Sequence, residues 1–79
     1  MSNEVNMNEL EAVIGGAGGS SKPLPPKAGC QVYKIIGNDT LTRIAQRFNT
    51  TVDYLMAINK GIIDNKNFIR AGFYMYVPA

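Results

Sequence analysis

The segment from Cys30 to Ala79 predicts an α+β fold, a small βααβ domain in which a two-stranded antiparallel sheet carries two helices packed on one face. Three observations predict it. "QVYKII" alternates weakly and is rich in β-branched residues, which reads as a strand. Two apolar stripes at helical spacing follow, first Leu41, Ile44, Ala45 and Phe48, then Val52, Leu55 and Met56. "FYMYV" then alternates Phe73, Met75 and Val77 against Tyr74 and Tyr76, a second strand. Two strands that bracket a helix pair join most simply as an antiparallel pair, and such a pair needs the helices against one face to be stable.

Each element has its own punctuation. The first strand turns Tyr33 and Ile35 inward. "GND" ends it, because Gly37 and Asn38 both tolerate positive φ. Asp39 or Thr40 caps the first helix, and Asn49 ends it. Thr50 or Thr51 caps the second helix, with Asn59 on the same side as its apolar stripe and Gly61 suited to the position just past its end. A loop runs from Ile62 to Gly72, and Pro78 stops the final strand. Tyr54, Tyr74 and Tyr76 fall on the outside, where they would form an exposed aromatic patch or stand as scattered surface aromatics.

The N-terminal third has a different character. In Met1 to Gly16, a helical winding puts Met7, Leu10, Val13 and Ile14 on one side and Glu4, Asn8 and Glu11 on the other. Such a piece is too short to be a stable helix alone. Residues 17–29 hold glycines, serines and three prolines and read as a flexible linker. The first sixteen residues carry three glutamates and no Lys or Arg. The remainder carries all eight basic residues against three aspartates, so it stands near +5 while the whole chain is +2. That asymmetry suggests two separate pieces.

Composition narrows the function. A chain of 79 residues holds at most one small domain. Histidine and tryptophan are absent and Cys30 stands alone, so there is no intramolecular disulfide and no Cys/His metal set. No nucleophile–base pair or carboxylate dyad stands out, which points away from an enzyme and from any cofactor. No apolar run approaches the ~20 residues that span a bilayer, and no basic n-region with an apolar h-region opens the chain. The Cys30 thiol could link two chains, or lie buried and inert.

The stretch from Tyr33 to Pro78 resembles a LysM domain, a βααβ module that binds N-acetylglucosamine-containing polymers. The resemblance rests on Tyr33, Ile35, "DTL" at 39–41, Ile44-Ala45, Phe48, "TVD" at 51–53, Leu55, Asn59, Ile69-Arg70, Gly72 and "YVP" at 76–78. Asn38 stands where the family usually has glycine, and Lys60 and Ala71 where it has proline. The loop is one residue longer around Ile62-Ile63-Asp64. By this resemblance the fold is a LysM-type βααβ domain and the ligand is a peptidoglycan or chitin-type oligosaccharide. The sugar would lie between two loops, one from Asn38 through Asp39 and Thr40 to Leu41, the other from Asn59 through Gly61 and Ile62 to Ile63. Main-chain groups would hold the N-acetyl group, and Ile62 or Ile63 would cover its methyl and a ring face. Asp39 and Asn59 weigh more toward structural duty than toward ligand contact.

The opening stretch "NELEAVIGGAGGS" resembles the double-glycine leader of exported bacterial peptides. Counted back from Gly16, Gly15, Val13, Leu10, Glu9 and Val5 stand at the matching places. Gly18-Gly19 fits poorly, having glycine where an apolar residue belongs. The resemblance implies recognition by the peptidase domain of an ABC exporter, cleavage behind Gly16, and a secreted or cell-wall-associated product. A helical face would dock in a groove while two residues without side chains thread the cleft.

Two other classes compete with the sugar-binding module. "LTRIAQRFNTTVDYLMAINKG" reads as helix, turn, helix. Its second helix, however, has Asp53 and no Arg or Lys before Lys60, which speaks against nucleic acid. The alternative with more support is an exported bacteriocin-like or signalling peptide that uses the fold for cell-wall targeting. Against it, no amphipathic cationic stretch follows the leader to disrupt or insert into membranes.

Overall fold

A computed structural model describes residues 18–79. The amphipathic piece Met1 to Gly16, with Gly15 and Gly16 as the expected cleavage end, lies outside the described residues. The order is β1 (Cys30–Lys34), α1 (Leu41–Arg47), α2 (Val52–Ile58) and β2 (Tyr74–Pro78). The strands pair antiparallel, with Tyr33 opposite Met75 and Val32 opposite Tyr76. Ile35 N–H donates to Phe73 O at 2.8 Å and Gly72 N–H to Ile35 O at 2.7 Å, so the pairing runs on past the strand ends.

Local chemistry sets each boundary. Thr40 is the N-cap of α1, its hydroxyl accepting from Arg43 N–H at 3.1 Å. Thr51 plays the same part for α2, accepting from Tyr54 N–H at 3.1 Å. Helix α1 ends in a Schellman arrangement. Asn49 takes φ 56°, Thr50 N–H reaches back to Ala45 O at 2.8 Å, and Asn49 N–H reaches Gln46 O at 3.2 Å. Beyond α2, Asn59 O accepts from both Ile62 N–H and Ile63 N–H, and Gly61 at φ 83° makes the turn.

One core lies between the sheet and the helix pair. Ile35, Leu41, Ile44, Ala45, Leu55, Ile63, Met75 and Val77 are buried in it. Tyr33 and Phe48 close one side edge-to-face, ring centroids 5.5 Å apart. The inward expectation for Tyr33 and Ile35 and both helical stripes agree with this core.

Two expectations need correction. The described part of 17–29 is not a free linker. Gly18 and Gly19 are buried, Ser20 pairs with Tyr74, and Tyr76 Oη donates to Pro25 O at 2.5 Å. Lys27 Nζ donates to Ile58 O at 2.8 Å, at the C-terminal end of α2, and lies 5.0 Å from the Tyr76 ring centroid. The segment offers few side chains to bury, and it holds to the domain through main-chain bonds and this one lysine instead. Of the two readings of the outer tyrosines, exposed patch or scattered surface aromatics, the patch at Tyr74 and Tyr76 does not form. Tyr76 is buried and Tyr74 half-buried, which leaves Tyr54 as the exposed tyrosine of the three. Alternation along the strand gives the face of the sheet correctly, but an irregular segment covers that face.

Candidate functional site

The two loops expected to flank a ligand are the β1–α1 turn and the start of the long α2–β2 connection. The first is built around Asp39. Its N–H donates to Ile36 O at 2.9 Å, and its Oδ2 accepts from Ile36 N–H at 3.0 Å and from Tyr33 Oη at 2.5 Å. Arg47 completes the knot, donating from Nη1 to Tyr33 Oη at 2.6 Å and lying 3.5 Å from Asp39 Oδ1. The Asp39 side chain is 5% exposed. Burial opposes its charge, but the Ile36 N–H, the Tyr33 hydroxyl and the Arg47 guanidinium together outweigh burial and lower its pKa. The Tyr33 phenol moves up, first through burial and then because its proton is held by Asp39.

Asn59 anchors the second loop and is wholly buried. Its Nδ2 donates to Leu55 O at 2.8 Å and to Tyr76 O at 2.9 Å, and its Oδ1 accepts from Tyr76 N–H at 2.7 Å. Both amide hydrogens and the amide oxygen are engaged, so no polar atom of this buried side chain lacks a partner.

Asn38, Asp39, Thr40, Leu41, Asn59, Gly61, Ile62 and Ile63 therefore divide into two groups. The carboxylate of Asp39 and the amide of Asn59 hold the loops in shape. Leu41 and Ile63 are each 2% exposed and belong to the core. Of the two isoleucines expected as apolar cover, Ile62 is the one that reaches solvent, and it is half-buried. Asn38, Thr40 and Gly61 are exposed, with the Thr40 hydroxyl used in capping α1. The main-chain groups of Asn38 and Gly61 make no hydrogen bond among the described residues. Both loops rest on one core through Leu41 and Ile63.

Sequence reasoning missed the Tyr33–Asp39–Arg47 knot. Its signal was present in the spacing, since Arg47 lies on the second turn of the helix that Asp39 precedes. Among the described residues no group of three or more His, Cys, Asp or Glu side chains could hold a metal ion. Cys30 is a half-buried free thiol at the start of β1.

A βααβ unit whose β1–α1 and α2–β2 connections rest on one core, each with unbonded main-chain groups, is a small α+β domain with two exposed loops. The family model for the LysM domain matches residues 33–78, more than half of the chain, and the chain belongs to the LysM family. LysM domains are carbohydrate-binding modules, generally non-catalytic, found in extracellular or cell-wall proteins. No curated protein and no solved structure matched the chain. No helix among the described residues is long and apolar enough to cross a membrane.

Proposed function

We propose that this protein is a non-catalytic module for N-acetylglucosamine-containing polymers of the peptidoglycan or chitin type, exported after cleavage behind Gly16. The family match over residues 33–78 carries the sugar-binding half of the reading, and the double-glycine resemblance of the opening stretch carries the export half. Locally it is supported by the unengaged main-chain groups at Asn38 and Gly61 and by half-buried Ile62. Fixed main-chain donors and acceptors suit an N-acetyl group, and an isoleucine beside them suits its methyl. The side chains of Asp39 and Asn59 act here as scaffold, and the ligand contacts come from Asn38, Thr40, Gly61 and Ile62.

Avidity in such modules comes from repetition, so one site in one chain binds weakly. A 15N-labelled chain titrated with N-acetylglucosamine oligomers tests the site. Amides of residues 38–41 and 59–64 should move together and saturate. A spectrum unmoved at millimolar oligomer overturns the sugar reading. The export half has its own test, the mass of the protein recovered from inside its host cell and from outside it. A species beginning at Ala17 supports cleavage by an exporter peptidase, and an intact chain kept inside the cell overturns it. The same mass spectrum, taken without reductant, shows whether Cys30 joins two chains.

A further inference from the structure

Gly18, Gly19 and Ser20 are threaded through the domain in a way that the module's βααβ order does not require. Gly18 O accepts from Arg70 N–H at 3.0 Å, and Gly19 N–H donates to Ile62 O at 3.1 Å. Ser20 and Tyr74 exchange both of their main-chain bonds, at 2.9 and 2.8 Å. Both glycines have positive φ, 92° and 129°. A Cβ on Gly18 would stand 3.1 Å from Ile69 Cα and 3.0 Å from Phe68 Cε2. On Gly19 it would stand 2.9 Å from Phe73 Cβ and 3.2 Å from Tyr74 O. The slot admits a chain without side chains and little else.

The position of this slot matters. The connection from α2 to β2 contains no helix or strand. Its internal main-chain bonds are local, from Ile62 and Ile63 to Asn59, from Phe68 to Asn65 and from Phe73 to Arg70. The Gly18–Ser20 segment is what links its two arms through main-chain bonds. It holds Ile62 on one side, Arg70 on the other, and the start of β2 beyond. Ile62 and its neighbour Gly61 are one wall of the candidate sugar site.

We infer that Gly18–Ser20 is a positioning element of the ligand site, a strap that fixes the Gly61–Ile62 arm before a sugar arrives. The inference rests on the sugar-binding reading above. If the strap leaves its slot, the arm samples other conformations, and apparent affinity falls by the fraction of time the arm is competent.

The full-length chain carrying Gly19→Ala tests this, beside Ser21→Ala in the same segment as a control. Two readouts are needed, amide exchange and a titration with an N-acetylglucosamine hexamer. In Gly19→Ala the Arg70 and Tyr74 amides, which donate to the strap, should exchange about tenfold faster or more, while Ile44 and Leu55 keep their protection. Hexamer affinity should fall about tenfold with them. Ser21→Ala should match the unsubstituted chain. Faster exchange at Arg70 and Tyr74 with unchanged affinity overturns the inference and leaves the sugar reading intact. So does unchanged exchange. No binding by the unsubstituted chain overturns both. If Gly19→Ala also loses protection at Ile44 and Leu55, Gly18→Ala replaces it, because its nearest contacts, Phe68 Cε2 at 3.0 Å and Ile69 Cα at 3.1 Å, are milder than the 2.9 Å approach of Gly19 to Phe73 Cβ. Global loss in both variants overturns the inference, since the strap then belongs to the whole fold rather than to the arm.

Discussion

Asn59 and Tyr76 are joined as two strands of a sheet would be. The side-chain amide of Asn59 takes the N–H of Tyr76 at 2.7 Å and gives a hydrogen to its carbonyl at 2.9 Å. One side chain thus replaces a peptide group of a missing neighbour strand. Asn59→Ala would strand two buried main-chain groups of Tyr76, and the expected loss is about 3 kcal/mol by chemical denaturation. Asn59→Asp keeps the shape but sets a carboxylate against two carbonyls. Burial raises its pKa, so Asn59→Asp should be most destabilised at neutral pH and should recover as pH falls and the carboxyl protonates.

Asp39 makes a pH prediction of the opposite sign. Its folded-state pKa lies below the ordinary value of 3.8. The stability it contributes is therefore complete above the unfolded-state pKa. It is lost as pH falls from about 4 through the folded value. Denaturation midpoints of the parent chain should drop over that window, and those of Asp39→Asn should drop less. Arg47→Met, which removes the guanidinium and keeps much of the stem, should shift the acid limb toward higher pH.

Asn49 occupies the left-handed position that ends α1, at φ 56°. Glycine adopts this conformation without cost to a Cβ, while alanine does so only with strain. Asn49→Gly should raise the denaturation midpoint slightly. Asn49→Ala should lower stability by about 1 kcal/mol.

The Tyr76 hydroxyl ties strand β2 to Pro25. Tyr76→Phe keeps the packed ring and removes that tie, at an expected cost of about 1 kcal/mol. Limited trypsin digestion should then cut faster after Lys27, while the core amides stay protected. Equal cutting rates in parent and Tyr76→Phe would mean that the bond does not hold the segment down.

Much of this fold is legible in the sequence because its parts obey short rules. Leu41, Ile44 and Ala45 share one side of a helix, and Thr40 and Thr51 precede helices with hydroxyls in reach of free N–H groups. The resemblance points to two loops, and the structure sets both of them on one core. The resemblance is less informative about Ile63, because an isoleucine in a loop looks the same whether it covers a ligand or plugs the core. Tyr76 was misplaced because alternation assigns a face and cannot say what lies over that face. Gly18 and Gly19 look like linker in the sequence for a related reason. A glycine leaves no hydrophobic pattern, so its fit in a tight slot shows only once the slot exists.

The two edges of the sheet are unequal. Along the outer side of β2, Ser20 answers Tyr74, the Asn59 amide answers Tyr76, and Pro78 has no N–H to offer. On β1, Val32 and Lys34 turn their main-chain groups away from β2, and these groups make no bond among the described residues. Unprotected edges are where sheets recruit more strands. A unit with one closed edge and one open edge cannot add copies without limit through its sheet. Two such units that meet β1 to β1 make four strands with a closed edge at either end, and growth through the sheet stops at the pair.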